Sequence, residues 1–369
     1  MGLTSMAVLL LAIAAAVVLF ALTIWLWPRL GKKSIGSIFG RVGMMLATQL
    51  TLFAAIGLYA NQSFGFYASW ADLFGQVKEE GVVVDHSASG KRVQVVGVQH
   101  VKVPRADVPR VAGKIEKINI AGPESKINSP AYIYLPPEYF QPQYANKNFP
   151  ASVVLTGFPG TAEALIKGLD YPVRAHKLAK EKKMQPTILV MMRPTVAPPR
   201  DTECIDIPNG PQTETFFTKD LRKSIASQYR VGEKAANWGV IGDSTGGYCA
   251  LKFAMRHPDA YGAAASLSGY YKAPNDATTG SLFGGNKQLE KENDLMWRLK
   301  HKPMAPVSLL LTSSKQGEHN YKDTLKFIDS VKAPTHVSSM ILDSGGHNFN
   351  TWRRELNGTL KWMGSRLQA

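Results

Sequence analysis

Five consecutive residues, Gly242-Asp243-Ser244-Thr245-Gly246, constrain this sequence more than any other segment. They follow an apolar run, Trp238–Ile241, and precede a helical pattern that continues to Arg256. A strand, a tight turn and a helix around a serine form a nucleophile elbow, in which the turn strains the serine backbone. The glycines at both ends of the motif lack the Cβ atoms that would clash there. The motif therefore predicts that Ser244 projects above a sheet, beside a helix N-terminus that favours negative charge.

The first 76 residues differ from the rest of the chain and are predicted to form a membrane anchor. Residues 3–27 contain no charged side chain and exceed the length of about 20 apolar residues that a bilayer requires. A secretory signal peptide would begin with basic residues, whereas the first one here is Arg29, so a retained transmembrane helix is favoured. Residues 42–60 form a second candidate span, for which a buried or interfacial helix is the alternative.

Basic residues separate the two candidate spans: Arg29, Lys32, Lys33 and Arg41. The positive-inside rule places this loop in the cytoplasm, so a hairpin of two spans leaves the large C-terminal region outside. The resulting expectation is a multi-pass protein of the cell membrane with an extracytoplasmic domain. If only the first helix spans, the basic flank instead favours a cytoplasmic domain.

The formal net charge of +15 bears on partners rather than on fold. A basic exported domain attracts anionic lipid head groups or acidic wall polymers. Dense tracts of Lys and Arg with interleaved aromatic residues do not occur, so we expect no nucleic-acid partner. Neither Cys–His spacing nor a carboxylate cluster suggests a metal site, and we expect no metal and no cofactor.

Alternating patterns predict antiparallel strands in the part of the chain that follows the anchor. Residues 77–112 are interpreted as a β-rich connector, with alternation over 82–103 around a turn at 89–91. Residues 114–120 and 131–135 alternate in the same way. These segments predict hairpin strands at one edge of a sheet.

Short apolar runs, typical of strands buried on both faces, then alternate with helical patterns, which predicts a mostly parallel sheet between layers of helices. The apolar runs are residues 151–155, 187–192, 238–241, 262–267, 307–311 and 337–342. The helical patterns are residues 162–169, 218–229, 247–256, 321–331 and 351–366. Together with the nucleophile elbow, this order predicts a catalytic domain of the α/β-hydrolase fold over residues 113–369.

A serine nucleophile needs a base, and in this fold the chain order is serine, acid, histidine. The histidines that follow Ser244 are His257, His301, His319, His336 and His347. His347 comes after the last predicted strand, behind two glycines that let the loop turn back over the sheet edge. We therefore predict that His347 is the base, and we interpret the others as surface residues.

The acid should follow the strand predicted at 307–311. Glu318 is the first carboxylate after that strand, where it would fix the imidazole tautomer and stabilise the imidazolium. Asp323 is the competitor, but it lies within the next predicted helix, where a capping or surface charge is the simpler interpretation. We predict Glu318.

Two backbone N–H groups should stabilise the oxyanion of the tetrahedral intermediate. One would belong to Thr245, directly after the nucleophile. The other should come from the loop after the first central strand, Thr156–Gly160. Phe158 is the candidate there, because Pro159 has no N–H to donate.

The two cysteines of the chain are Cys204 and Cys249. Outside the cytoplasm such a pair is often a disulfide, and both residues are predicted on the same side of the sheet. A bridge would attach the Cys204 loop to the elbow helix. Two buried free thiols are the alternative, and the sequence leaves both open.

Two long irregular segments, residues 194–212 and 270–303, follow the C-terminal ends of predicted strands. Ligands bind at that edge of open α/β sheets. The segments are therefore candidates for the walls or lid of a substrate site, and plain surface insertions are the alternative.

From about Gly113 onward the sequence resembles the esterase family that includes the acyl-carrying mycolyltransferases of actinobacterial cell envelopes. The matching segments are residues 134–139, the GDSTGGY elbow, residues 266–270 and the GGHNFNTW loop. The loop 201–204 and the apolar hairpin resemble a membrane-anchored actinobacterial branch of esterases. The resemblance implies an α/β-hydrolase whose Ser–acid–His triad falls on Ser244, Glu318 and His347. Two residues depart from the family pattern. Thr156 stands where many members have His or Asp, and Phe349 stands where Trp is common.

These features predict a membrane-anchored serine esterase or acyltransferase that forms an acyl-enzyme on Ser244. Water or a sugar hydroxyl would then resolve the acyl-enzyme. The tether and the basic surface favour a lipid or cell-envelope glycolipid ester as the substrate. A catalytically silent domain that serves as an envelope binding or scaffold module is the rival hypothesis.

Overall fold

The computed structural model describes residues 2–3, 5–31, 34–64, 70–73, 93–99, 101, 103, 108–198 and 200–369. The chain divides into two compact units, Met1–Lys78 and Glu79–Ala369. The turn expected at 89–91, most of the expected connector, and Lys32 and Lys33 lie outside the described residues. The division into residues 1–76, 77–112 and 113–369 stays a prediction.

The described part of the first unit is helical: α1 (Met6–Leu26), α2 (Ile35–Phe64) and α3 (Trp70–Leu73). Both α1 and α2 are long and apolar enough to cross a membrane. The second helix begins before the predicted boundary at residue 42, because the Ser34 hydroxyl accepts a hydrogen bond from the Ser37 N–H and caps it. Arg41 therefore lies within α2 and not in a basic loop, which corrects the predicted boundary.

Polar residues within α2 satisfy their hydrogen bonds inside the first unit. The hydroxyls of Thr48 and Thr51 donate to the carbonyls of Met44 and Ala47, each at 2.9 Å. Thr48 also contacts the Thr23 hydroxyl of α1 at 3.0 Å. Hydroxyls paired in this way are compatible with apolar surroundings.

A nine-stranded sheet forms the centre of the second unit, in the order β1-β2-β3-β5-β4-β6-β7-β8-β9. Its strands are β1 (Val93–Gln99), β2 (Lys114–Ala121), β3 (Asn128–Leu135), β4 (Ala151–Leu155), β5 (Ile188–Met192), β6 (Trp238–Asp243), β7 (Ala263–Leu267), β8 (Ser308–Gln316) and β9 (His336–Ser344). The pairs from β1 to β3 and between β3 and β5 are antiparallel, and all later pairs are parallel. The predicted antiparallel edge and parallel centre are both confirmed.

The predicted burial of one strand was wrong. The apolar run at 337–342 was expected to be buried on both faces, whereas β9 is only half-buried along its length. Among the described strands it is the last of the sheet and pairs only with β8, so no described strand covers its outer edge.

Helices cover both faces of the sheet. They are α4 (Pro109–Ala112), α5 (Ala162–Lys167), α6 (Tyr171–Lys180), α7 (Thr213–Thr215), α8 (Leu221–Gln228), α9 (Thr245–Arg256), α10 (Lys287–Glu292), α11 (Leu295–His301), α12 (Tyr321–Ser330) and α13 (Phe349–Arg366). A π-helical turn, Phe216–Asp220, joins α7 to α8, and short 3₁₀ turns occur at 137–140, 142–144 and 235–237. Helix α6 was not predicted, although Pro172 and the buried Tyr171, Ala175 and Leu178 mark its start and its inner face.

The buried side chains form one apolar core on each face of the sheet. One contains Leu221 of α8, Phe253 of α9 and Phe327 of α12. The other contains Leu165 of α5 and Trp352 of α13. The resulting three layers are those of the predicted α/β-hydrolase fold.

Candidate active site

Ser244 occupies a strained turn between the central strand β6 and helix α9. Its φ is +53° and its ψ is −120°, outside the regions that ordinary residues prefer. Its N–H donates to the Leu267 carbonyl of β7 at 3.0 Å, which fixes the turn to the neighbouring strand. A Cβ on Gly242 would collide with the Gly246 carbonyl, so the glycine at the start of the motif is required by close approach.

His347 lies within hydrogen-bonding distance of this serine. Its Nε2 is 2.8 Å from the Ser244 Oγ, and the two residues come from loops after β6 and β9. The ring of Trp352 meets the imidazole edge-on at a centroid distance of 5.2 Å. The Trp352 Nε1 in turn donates to the Ser268 hydroxyl at 3.0 Å. Helix α13 therefore holds the imidazole from one side through a tryptophan that is itself anchored.

Glu318 contacts the other nitrogen of the same imidazole. Its Oε2 is 3.3 Å from the His347 Nδ1, and the residue is only 9% exposed. The competing carboxylate Asp323 lies in α12, where it is exposed and forms an ion pair with Lys326 at 3.0 Å. The structure therefore brings Ser244, His347 and Glu318 together and places Asp323 elsewhere.

A second buried carboxyl group, Glu355 of α13, influences the acid side of this site. The Thr312 hydroxyl donates to the Glu355 Oε2 at 2.7 Å. Burial and the negative charge of Glu318 raise the pKa of Glu355 to about 8. The shift reflects the cost of placing a second negative charge in a buried position near Glu318.

The loop after β4 is attached to the elbow by a carboxylate. The Gly157 N–H donates to the Asp243 Oδ2 at 2.8 Å, so this N–H is not free to bind an oxyanion. The next one along the chain belongs to Phe158, and Thr245 contributes the first N–H of α9. Within the described part of the chain, neither of these two N–H groups donates a hydrogen bond. Burial raises the pKa of Asp243 to about 7.

The structure pairs the two cysteines of the chain with each other. Cys204 and Cys249 are bonded in a disulfide and both are fully buried. Lys252, one helical turn beyond Cys249 on α9, donates its Nζ to the Glu203 carbonyl at 3.0 Å and to the Cys204 carbonyl at 2.5 Å. The loop 201–204 is therefore attached to α9 both by the disulfide and by the hydrogen bonds of Lys252.

The remaining histidines after Ser244 lie away from the serine. His257 ends α9, and its Nε2 is 2.7 Å from the Glu214 Oε1. His301 stacks on Trp297 of α11, His336 opens β9, and His319 is exposed. Lys252, His257 and Arg256 together hold the pKa of the buried Glu214 below its usual range, although burial alone would raise it.

The two long irregular segments contact each other. The Asp201 N–H donates to the Thr278 carbonyl at 3.1 Å, and the Arg200 side chain donates to the carbonyls of Thr279 and Ser281, each at 2.7 Å. A role as the wall or lid of a substrate site stays a prediction. Among the described residues, no group of three or more His, Cys, Asp or Glu side chains is arranged to hold a metal ion.

Comparison with known proteins identifies the family of this chain. The model of the Esterase family matches residues 124–363, a range that includes Ser244, Glu318 and His347. The chain belongs to the Esterase family. An uncharacterized protein of Corynebacterium glutamicum is 24% identical over 282 residues, which are 70% of this chain and 63% of that protein. The chain therefore spans less than two thirds of that relative's length.

Other relatives cover less of this chain or share only its fold. The MPT51/MPB51 antigen of Mycobacterium bovis is 32% identical over 77 residues, 21% of this chain and 25% of the antigen. The solved S-formylglutathione hydrolase of Agrobacterium tumefaciens superimposes with a TM-score of 0.58 at 15% identity, covering 74% of this chain and 100% of the hydrolase. The latter likeness supports the fold alone.

Sequence reasoning missed four residues of the site: Asp243, Glu203, Tyr270 and Trp352. All four lie in segments that the sequence analysis singled out, but nothing in their spacing indicates that Asp243 meets Gly157, that Trp352 meets His347, or that Tyr270 meets Thr245 and Glu203. Asp243, Tyr270 and Trp352 share a signal, a polar or aromatic side chain inside an apolar or glycine-rich motif at or after the end of a strand. Glu203 has no such signal.

Proposed function

We propose that this member of the Esterase family is a serine esterase or acyltransferase that acts on ester-linked acyl groups. The single observation that carries the proposal is the contact chain from the strained Ser244 through His347 to Glu318, with distances of 2.8 Å and 3.3 Å. Serine, imidazole and carboxylate in this order form an activated nucleophile. Fold alone would not support an activity.

The geometry supports a two-step reaction. His347 Nε2 takes the proton of Ser244 as Oγ attacks the ester carbonyl, and Glu318 stabilises the imidazolium through Nδ1–H. The N–H groups of Phe158 and Thr245 stabilise the oxyanion of the tetrahedral intermediate. Its collapse breaks the ester bond, His347 protonates the departing alcohol, and the acyl group remains on Ser244. Water or a sugar hydroxyl, deprotonated by His347, then releases the acyl group.

We further propose that α1 and α2 anchor the enzyme in the cell membrane, with the catalytic domain outside the cytoplasm. Both helices have the required length and hydropathy, and their exposed surfaces are largely apolar. The buried disulfide supports an oxidising compartment. An anchored domain with a basic surface favours a lipid or cell-envelope glycolipid ester as the substrate.

Labelling with a fluorophosphonate probe tests the proposed activity. The folded, detergent-solubilised chain should react at one serine, while heat-unfolded protein should not react, because activation requires the His347 contact. After reduction and trypsin digestion, the probe should be found on residues 235–252, in which Ser244 is the only serine. Labelling of another peptide would refute the assigned nucleophile. No labelling of folded protein would overturn the esterase proposal and favour the scaffold hypothesis.

The acid is tested by Glu318→Gln. The amide keeps the shape of the side chain but loses the charge and favours the wrong imidazole tautomer, so kcat/KM for a p-nitrophenyl ester should fall about 10²–10⁴-fold. Asp323→Asn is the matched control, and it should stay within about twofold of the wild type because Asp323 is an exposed ion-pair partner. The opposite ranking of the two variants would show that the acid is misassigned.

A further inference from the structure

A buried chain of hydroxyl and carboxyl groups lies directly behind the second oxyanion donor. The Tyr270 hydroxyl is 2.7 Å from both carboxyl oxygens of Glu203 and 3.1 Å from the Thr245 hydroxyl. Glu203 and Thr245 are only 1% and 4% exposed, so bulk water does not compete for these hydrogen bonds. The residue that follows Ser244 is therefore linked through Tyr270 to a buried carboxyl group.

The segment that supplies Glu203 is held in an unfavourable backbone conformation. The φ angles of Glu203 and Cys204 are +48° and +54°, in the left-handed region that favours glycine. Four contacts hold the segment there: the disulfide to Cys249, the two hydrogen bonds from Lys252, and a hydrogen bond that the Glu203 N–H donates to the Asp201 Oδ1 at 3.0 Å. Strain imposed by several surrounding contacts is concentrated at functional sites.

The Tyr270 hydroxyl couples the two ends of this chain. It lies within hydrogen-bonding distance of the Glu203 carboxyl group on one side and of the Thr245 hydroxyl on the other. Burial and the negative charge of Asp201 raise the pKa of Glu203 to about 8. The Tyr270 ring also stacks on Tyr248 at a centroid distance of 5.2 Å, which fixes the position of the hydroxyl.

We propose that Tyr270 and Glu203 are positioning residues that hold Thr245 so that its backbone N–H points at the oxyanion. The inference rests on the proposed esterase function. Because an oxyanion donor must lie about 2.7–3.1 Å from the developing charge, a small rotation of the Thr245 peptide weakens stabilisation of the transition state. Ester binding in the ground state does not depend on this contact. Loss of the chain should therefore lower kcat and leave KM unchanged.

Tyr270→Phe tests the inference because it keeps the ring stacking and removes only the hydroxyl. We expect kcat for a p-nitrophenyl ester to fall about tenfold, with KM within about twofold of the wild type. Tyr271→Phe is the matched control, because its buried hydroxyl donates to the Thr324 hydroxyl of α12 at 2.8 Å. It removes a comparable hydrogen bond from the neighbouring residue, and it should lower Tm while kcat stays at the wild-type value.

Thr245→Val removes the hydroxyl at the other end of the same hydrogen-bonded chain. It tests the inference independently if Tyr270→Phe does not fold. It should lower kcat by a similar factor, and the double variant should lose no more than either single variant. Unchanged kcat in Tyr270→Phe, an equal loss in Tyr271→Phe, or additive losses in the double variant would each overturn the inference. A wild type without turnover would overturn the esterase proposal itself, whereas an active wild type with an unaffected Tyr270→Phe overturns the inference alone.

Discussion

Ser244→Ala should lower kcat/KM for a p-nitrophenyl ester by about 10⁵–10⁶-fold, the loss typical when a serine nucleophile is removed. Without the hydroxyl, His347 has no nucleophile to activate and no acyl-enzyme forms. The remaining activity would come from substrate binding and the oxyanion donors acting on water. Mass spectrometry after a pulse of ester should detect an added acyl group on the wild type and none on the variant.

The matched control for this change is Ser330→Ala at the end of α12, which removes a serine hydroxyl from an exposed site. Its turnover should equal that of the wild type. Retained acylation in Ser244→Ala would mean that another residue carries the acyl group, and the triad assignment would have to be withdrawn. The thermal midpoint of the variant should stay near that of the wild type, because the substitution leaves the elbow glycines in place and removes only one hydroxyl group.

His347→Ala should lower kcat/KM by a factor close to that of Ser244→Ala, because the serine then lacks its base. The two losses should not add in the double variant, since the residues act as one unit. Fluorophosphonate labelling should slow in parallel. Because the fluoride of the probe leaves without being protonated, the labelling rate reports only the activation of Ser244. Steady-state kinetics and labelling rates on the same preparations provide the measurement.

His319→Ala is the matched control for the histidine, since it lies next to Glu318 in the chain yet is exposed. It should keep wild-type turnover. If His319→Ala instead caused the large loss and His347→Ala did not, the base would be misassigned despite the 2.8 Å contact of His347 with Ser244. Comparable losses in both variants would point to a disturbed β8–α12 loop rather than to general base catalysis.

The sequence alone determined the fold class and the identity of the elbow. Both are encoded locally, because alternation, apolar runs and the Gly242–Gly246 spacing report the conformation of neighbouring residues. Chain order then indicated His347 and Glu318, and the structure places His347 against Ser244 and Glu318 against the other nitrogen of His347. The errors have different causes: the early start of α2 depends on a local cap at Ser34, whereas the exposure of β9 depends on its place at the sheet edge, which is set by tertiary structure.

Tertiary structure decided what depends on residues far apart in the chain. The disulfide joins Cys204 to Cys249 across 45 residues, the Gly157 N–H meets Asp243 across 86, and Tyr270 meets Glu203 across 67. Burial at those meeting points raises the pKa values of Asp243 and Glu203, and no pattern in the sequence reports burial at one atom. Local rules therefore predicted which residues carry the proposed chemistry, whereas only the folded chain showed which buried carboxyl groups surround them, because distance and desolvation are set by packing between segments.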